Sequence, residues 1–593
     1  MKIMKTYTIT LLIVSATFGS LNAMAQKDTT RIKQEVEVVK AYQPVISEVE
    51  KINDIPKIKT EQPETPVFDY SIYSKPVFST FDVAPVAAAK MVGEPKPEME
   101  MGLLKLGFGN YMTPYGELFF NSQPDKNSNF GMHFKHLSSW GKIGLLNGDV
   151  VKAPQSENIA EIFGKKFWRK STLSGSLAFD RTSFNYYGYT GDMLSDELKD
   201  EMIPYYQDKQ YFSKGTAKVG LKGENISPMA FNYDFGLKYH YFKSKTGQTE
   251  NQTVLSGDMS KKYGNTFGLL NASLTYYLAD SVMNNFSNSI GPKQQILIRV
   301  NPSVMWKTDA AKFQAGLNST IVFDDDTDAS LLIWPKVKAE WSPVPNILTL
   351  FAGVDGHLQH NTYSNIAAEN PYVDPFHDVL NTNYKYIVSG GLKGKFSSKT
   401  NYVAEASYSK VKDQHFYITE GTEVYNPSSA YRRLSNTFDW VYDDLKVLKL
   451  SAEVMHSVSE NFSLRLLGNY YSYELETIEK AWQMPDFDVT FSGIYKPTDQ
   501  LKFTTDIFVV GERTALIRNS YIQDLSSSLV ANPEEIEVLM DPIIDLNAGV
   551  EYQFNKSLNF FARLNNFGFQ KYEQWLGYTN KSFNWMAGMS YTF

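Results

Sequence analysis

The stretch Asn584-Trp585-Met586-Ala587-Gly588-Met589-Ser590-Tyr591-Thr592-Phe593 ends the chain and sorts its side chains by parity. Trp585, Ala587, Met589, Tyr591 and Phe593 fall on one face of an extended strand, and Asn584, Ser590 and Thr592 on the other. Successive side chains of a strand point to opposite faces, so one face of this segment suits lipid and the other suits water or a polar interior.

The same alternation recurs upstream. Ile544, Leu546, Ala548, Val550, Tyr552 and Phe554 interleave with Asp545, Asn547, Gly549, Glu551 and Gln553. Val337, Ala339 and Trp341 interleave with Lys336, Lys338 and Glu340, and Leu501, Phe503, Thr505, Ile507 and Val509 with Lys502, Thr504 and Asp506. A soluble sandwich shows this pattern too, with the apolar side in its core. The breaks between segments separate the two readings, because outer-membrane barrels place tight turns at the periplasmic end and long loops outside. Counting back from Phe593 puts 308–311, 342–346, 397–400, 496–500 and 555–557 at the tight-turn end. The breaks near 182–210, 279–292, 358–383 and 512–541 are longer and face outward, the short run Asp324, Asp325, Asp326, Thr327, Asp328 being an exception, while 412–445 fixes no strand count.

Composition agrees. The chain is 14% aromatic, with 37 Tyr and 38 Phe in 593 residues, yet its mean hydropathy is negative. A wet-cored barrel with aromatic girdles reconciles these, each strand being apolar on its lipid side alone. Beyond the N-terminus no apolar run is long enough to span a bilayer as a helix. The net charge of −7 gives no reason to expect nucleic acid as a partner. At ~22 residues per strand and loop, 101–593 predicts an all-β fold: a transmembrane antiparallel β-barrel of about 22 strands, within a range of roughly 20 to 24.

Lys2 and Lys5 precede an apolar run from Ile9 to Leu21 and the small-residue pattern Ala23-Met24-Ala25, which predicts a secretory signal over 1–25. The absence of cysteine excludes disulfides and thiol chemistry. Residues 26–100 carry Pro44, Pro56, Pro63, Pro66, Pro76, Pro85, Pro95 and Pro97, a spacing that forbids long helices and central strands. They read as an extended arm in the periplasm or the lumen; the composition equally fits a disordered leader.

Catalytic motifs are missing: there is no nucleophile elbow, phosphate loop or zinc helix. The glycines of Gly390-Gly391-Leu392-Lys393-Gly394-Lys395 belong to a strand. His133 and His136, three apart, point to opposite faces; His357 and His360, at a strand end, leave a metal site open. Asp324, Asp325, Asp326 and Asp328 read as a solvated loop tip, with an oxygen-ligated cation as the alternative. Tyr186, Tyr187, Tyr189, Tyr205 and Tyr206 read first as interface girdle, and otherwise as stacking surface for a ligand. No catalytic, cofactor or metal residue is assigned.

The order Ile544–Phe554, Phe561–Phe567, Lys571-Tyr572, Gly577-Tyr578 and Ser590–Phe593 resembles the last three strands of TonB-dependent outer-membrane receptors, particularly divergent ones from Bacteroidota. As motif the resemblance covers about the last 50 residues; as architecture, most of 101–593. It implies an insertion signal at Tyr591 and Phe593 read by the barrel-insertion machinery, lipid contact in the bacterial outer membrane, and solute passage or uptake. Glu35, Val36, Glu37, Val38 and Val39 look like the box such receptors present to TonB, and equally like a β-prone piece of the arm. The family's plug domain is longer than 26–100 and less rich in proline, so the loops, the arm or a partner should occlude the lumen. The alternative function is that of a non-enzymatic accessory subunit of an outer-membrane assembly or secretion complex, docked through the arm.

Overall fold

The computed structural model describes residues 100–122, 127–189, 209–223, 231–280, 282–283, 289–290, 293–325, 328–374, 377–421, 437–519 and 534–593. The signal, the pentad Glu35 to Val39, and Tyr205 and Tyr206 lie outside them.

Twenty-two antiparallel strands, each paired to the next, close into a barrel when the first, Gly102–Gly109, pairs with the last, Asn584–Thr592. Closure leaves no free edge in hydrocarbon, where an unpaired backbone group costs several kcal/mol. At the seam Gly107 faces Gly588. A Cβ on Gly588 would collide with the Leu106 carbonyl and with the ring of Phe561, which occupies the lumenal space the two glycines leave.

The faces divide as the alternation predicts. Trp585, Met589, Tyr591 and Phe593 are exposed on the outside, as are Leu331, Ile333 and Trp341, Ile544 and Tyr552, and Phe503. Inside, charged side chains pair across strands: Lys338 with Asp355 at 3.3 Å, Lys393 with Glu340 at 3.3 Å and Lys502 with Glu551 at 3.5 Å. Half-exposed lysines on the inner wall require water there, so the exterior apolar band meets lipid and the interior is wet. His133 turns inward to Glu117 Oε1 at 3.1 Å, whereas His136 turns outward to Asn158 at 2.6 Å, on opposite faces as expected.

The tight turns fall at 308–310, 345–347, 398–399, 499–500 and 554–557, at one end with Phe593. The other end is built differently. Of the stretch left without a strand count by the sequence, 412–421 and 438–445 belong to the two longest described staves, Thr400–Gly421 and Phe438–Ser459, each of 22 residues. Beside the seam the staves are much shorter: 8 residues in Gly102–Gly109 and in Leu558–Asn565.

Candidate functional site: the cap over the outer mouth

The outer loops fold into a hydrophobic core of their own. Strand Arg513–Asn519 leaves the loop between Leu501–Val510 and Ile543–Gln553 and pairs in parallel with the top of Thr400–Gly421, through Thr419 and Ile517. Its other edge carries Glu534–Met540 in antiparallel register. The two long staves are thus the start of a sheet that continues over the mouth. Alternation places Ala515 and Ile517 against one cluster and Leu516 against a second, both faces of the strand being buried.

Beneath this sheet lies the helix Tyr363–Glu369, inside the break the sequence marks at 358–383. Thr362 caps it, its side chain accepting from Asn365 N–H, and Tyr363, Ile366 and Ala367 are buried. A short helix has little stability alone, so its packing and its cap hold it. The barrel wall supplies the rest: Glu250 accepts from Tyr363 N at 2.7 Å, Ser364 N at 3.1 Å and the Tyr277 hydroxyl at 2.5 Å. Glu250 sits where the lipid-side neighbours Asn251 and Thr253 are polar, above the apolar band. Burial raises its carboxyl above the ordinary carboxylate value, opposed by these donors. A carboxylate also suits the positive end of a helix.

Aromatic rings fill the centre. Tyr372 stacks on Tyr578 at 3.6 Å, Tyr187 meets Tyr578 edge-on at 5.1 Å, and Tyr417 meets Trp575 at 4.9 Å. Phe438 and Val373 have no exposed surface, and their segments are tied by backbone bonds from Asp374 N to Phe438 O and Phe438 N to Tyr372 O. The girdle reading of Tyr186, Tyr187 and Tyr189 is therefore corrected. Phe184 meets the Tyr186 ring edge-on at 5.7 Å, Tyr187 packs into the cap and donates to Thr579 O at 3.0 Å, and the buried Tyr189 donates to Asp149 at 2.8 Å. Period-two reading misses this because the residues lie past the end of strand Ser171–Asn185. The detectable signal was aromatic density in a break where a solvated loop needs none.

Polar anchors tie the loops. The buried Arg513 donates from Nη1 to Gln574 O and from Nη2 to Glu573 O, both at 2.6 Å, gripping the hairpin Glu573–Trp575 and Tyr578–Thr579. Burial brings its guanidinium down to about 10 and pushes the Glu573 carboxyl up to about 7; the Gly577 N–H and Arg513 pull Glu573 back and Asp541 adds to the rise. Asp443 accepts from the N–H groups of Glu476, Thr477 and Ile478. Burial pushes its carboxyl up, but these donors outweigh it and leave it below the ordinary value.

The histidines separate. His357 stacks on Tyr384 at 4.7 Å, while His360 Nδ1 lies 3.2 Å from the Gln252 amide. Among the described residues no three His, Asp or Glu side chains gather as a metal site. Asp324 accepts from the Gln295 amide.

No protein-family model matches the chain, and no curated protein matches it in sequence. Solved structures share the fold. The FrpB iron transporter from Neisseria meningitidis aligns over 84% of this chain and 82% of its own at 10% identity, with a TM-score of 0.63. The copper transporter OprC aligns over 84% and 81% at 11% identity and 0.59, and the ferric-catecholate import receptor Fiu from K12 E. coli over 84% and 82% at 8% identity and 0.59.

Proposed function

We propose that this protein is a barrel of the bacterial outer membrane that takes up a solute, with the aromatic cap as its outer gate. The observation that carries the reading is the pairing of a lumenal wall bearing exposed lysines with a hydrophobic cluster that the described outer loops build at the mouth. The C-terminal resemblance to TonB-dependent receptors and the fold shared with iron, copper and ferric-catecholate transporters support it. Transport needs no chemistry from the protein: a polar lumen lowers the cost of moving a hydrophilic solute, and the cap excludes the rest. In this reading 1–25 is the cleaved signal, 26–100 the periplasmic arm, and Glu35 to Val39 the contact for TonB or another envelope protein. Tyr591 and Phe593 serve the insertion machinery.

The test is conductance of the purified chain in planar bilayers. A closed wild-type barrel that conducts once Phe438→Ala loosens the cap supports the gate. No current from a folded, cap-loosened barrel, with or without 26–100, overturns it. One observation favours a second reading, that of a structural subunit of an envelope complex: the cap is packed as tightly as a soluble core, with Ile418, Phe438 and Ala515 fully buried. Stable stoichiometric co-purification in mild detergent, without an uptake defect on deletion, decides for it.

A further inference from the structure

One sector of the lipid-facing surface carries charge of a single sign. Register lines up His136, Asn158, Arg181, Ser213 and Lys243 on the neighbouring strands Ser128–Ser139, Gln155–Phe167, Ser171–Asn185, Lys209–Gly223 and Phe231–Ser244. Each shares parity with an exposed apolar residue of its own strand, Phe134, Ile162, Leu177, Val219 and Tyr241 in turn, so the row faces outward. Arg181 lies four residues beyond Leu177, which is near the middle of its strand. On a tilted strand that is roughly 10 Å, close to the outer edge of a ~25 Å apolar band. The row therefore stands at the headgroup level of the outer leaflet.

The cations there lack counterions. The outward positions of these strands hold no Asp or Glu. Arg181 lies over the Tyr211 ring at 4.1 Å, and neither it nor Lys243 meets a carboxylate among the described residues. Asp280, past the end of Thr266–Ala279, is occupied by the Thr249 hydroxyl. Lys446, outward toward the outer end of Phe438–Ser459, is by contrast paired with Glu474. Two further donors belong to the row. His136 Nδ1 lies 2.6 Å from Asn158 Oδ1, which leaves the Asn158 amide N–H groups to donate beside Arg181. The Ser213 hydroxyl, between Arg181 and Lys243 in register, has no hydrogen-bond partner. At ~4.8 Å per strand the two cations stand about 10 Å apart, a span that two phosphates of one headgroup fill.

Immediately toward the midplane a groove opens in the same face, lined by Leu104, Gly116, Leu118, Phe134, Ala160 and Phe179. Ala160 is the gap between Phe134 and Phe179 in register, and a Cβ on Gly116 would meet only Leu106, at 3.8 Å. Cations above and an apolar slot below match the polarity of an anionic lipid.

We infer that this sector binds an outer-leaflet lipid bearing two phosphates. Arg181, Lys243, the Ser213 hydroxyl and the Asn158 amide hold the phosphates, and the groove takes one acyl chain. This rests on the membrane placement alone and stands whether the protein transports or scaffolds.

Native mass spectrometry of the full chain, folded in detergent and offered diphosphoryl lipid A, reads the site. The wild type should retain this lipid about tenfold better than phosphatidylcholine, and Arg181→Gln with Lys243→Gln should lower retention about tenfold. Lys446→Gln, at the paired cation, should leave it unchanged. Because the chain has no cysteine, Gly116→Cys alkylated after folding with a bulky maleimide blocks the groove without touching assembly, and should lower retention about fivefold. Retention that survives R181Q with K243Q, retention that survives the blocked groove, equal retention of phosphatidylcholine, or displacement by millimolar inorganic phosphate overturns the inference. Each variant is scored on barrels that keep the heat-modifiable band; should the double variant not fold, the blocked groove and the phosphatidylcholine comparison decide.

Discussion

Replacing Glu250 with alanine should release the helix under the cap while leaving the barrel closed. Three buried donors, Tyr363 N–H, Ser364 N–H and the Tyr277 hydroxyl, lose their acceptor. At ~1–3 kcal/mol for each unsatisfied group the loss is on the order of 6 kcal/mol before relaxation. Two effects reduce it: the cost of burying a carboxylate disappears, and water enters the vacated space. We expect a net weakening of the cap of about 3 kcal/mol, which at ~1.4 kcal/mol per decade is roughly a hundredfold rise in the open population. Hydrogen exchange followed by mass spectrometry on the segment 360–381 reads this directly, because the helical amides exchange through local opening. The amides of Ile366 and Asn370, bonded to Thr362 O and Ile366 O in the closed helix, should exchange about a hundredfold faster in E250A. The strand Asn584–Thr592 should keep its protection. Glu250→Gln, which retains an acceptor oxygen, should fall between. A folded E250A barrel whose 360–381 amides exchange at the wild-type rate refutes the idea that the wall carboxylate holds the cap.

Phe438→Ala should cost the cap ~3–5 kcal/mol by leaving a cavity at its centre, seen as faster protease entry into the outer loops with the heat-modifiable barrel band intact. Leu177→Arg, on the lipid side at mid-height, should destabilise insertion by ~2–4 kcal/mol in urea titrations into vesicles, whereas lumen-facing Ser176→Arg should change it little. The raised Glu573 carboxyl fixes a pH effect. The closed cap binds a proton that the open cap releases, so closure is strongest at acid pH and weakens as pH rises from the ordinary 4.5 to about 7, then levels off. Exchange of 566–583, corrected for intrinsic rates, should therefore speed up between pH 5 and 8, and Glu573→Gln should flatten the profile.

The membrane part of the structure was legible because a physical period enforces it: every lipid-side residue from Trp585 to Phe593 answers to the same solvent on the same parity. Turn asymmetry then gave the polarity, and five tight turns fall where they were placed. The cap was not legible for the same reason. Tyr187 and Tyr372 come from segments remote in the chain from Trp575 and Tyr578, the Tyr187 hydroxyl reaching Thr579 O across 392 residues, and no local period links them. Arg513 gripping two carbonyls is likewise invisible, since its partners are backbone atoms that carry no residue signature. The helix at Tyr363 had a weak signal, a Thr cap before Ser364 to Glu369, hidden by the length of the break around it.

The inequality of the staves reaches beyond the protein. A strand of eight residues tilted as such walls are spans roughly 21 Å along the normal, short of the ~25 Å apolar height typical of these barrels. Around the Gly102–Gly109 and Leu558–Asn565 staves the acyl chains must therefore pinch inward, while beside Thr400–Gly421 they need not. Mismatch of this kind costs fractions of a kcal/mol per Å and sorts neighbours by thickness. Staves of unequal length thus set a thinner bilayer against one side of the molecule than against the other.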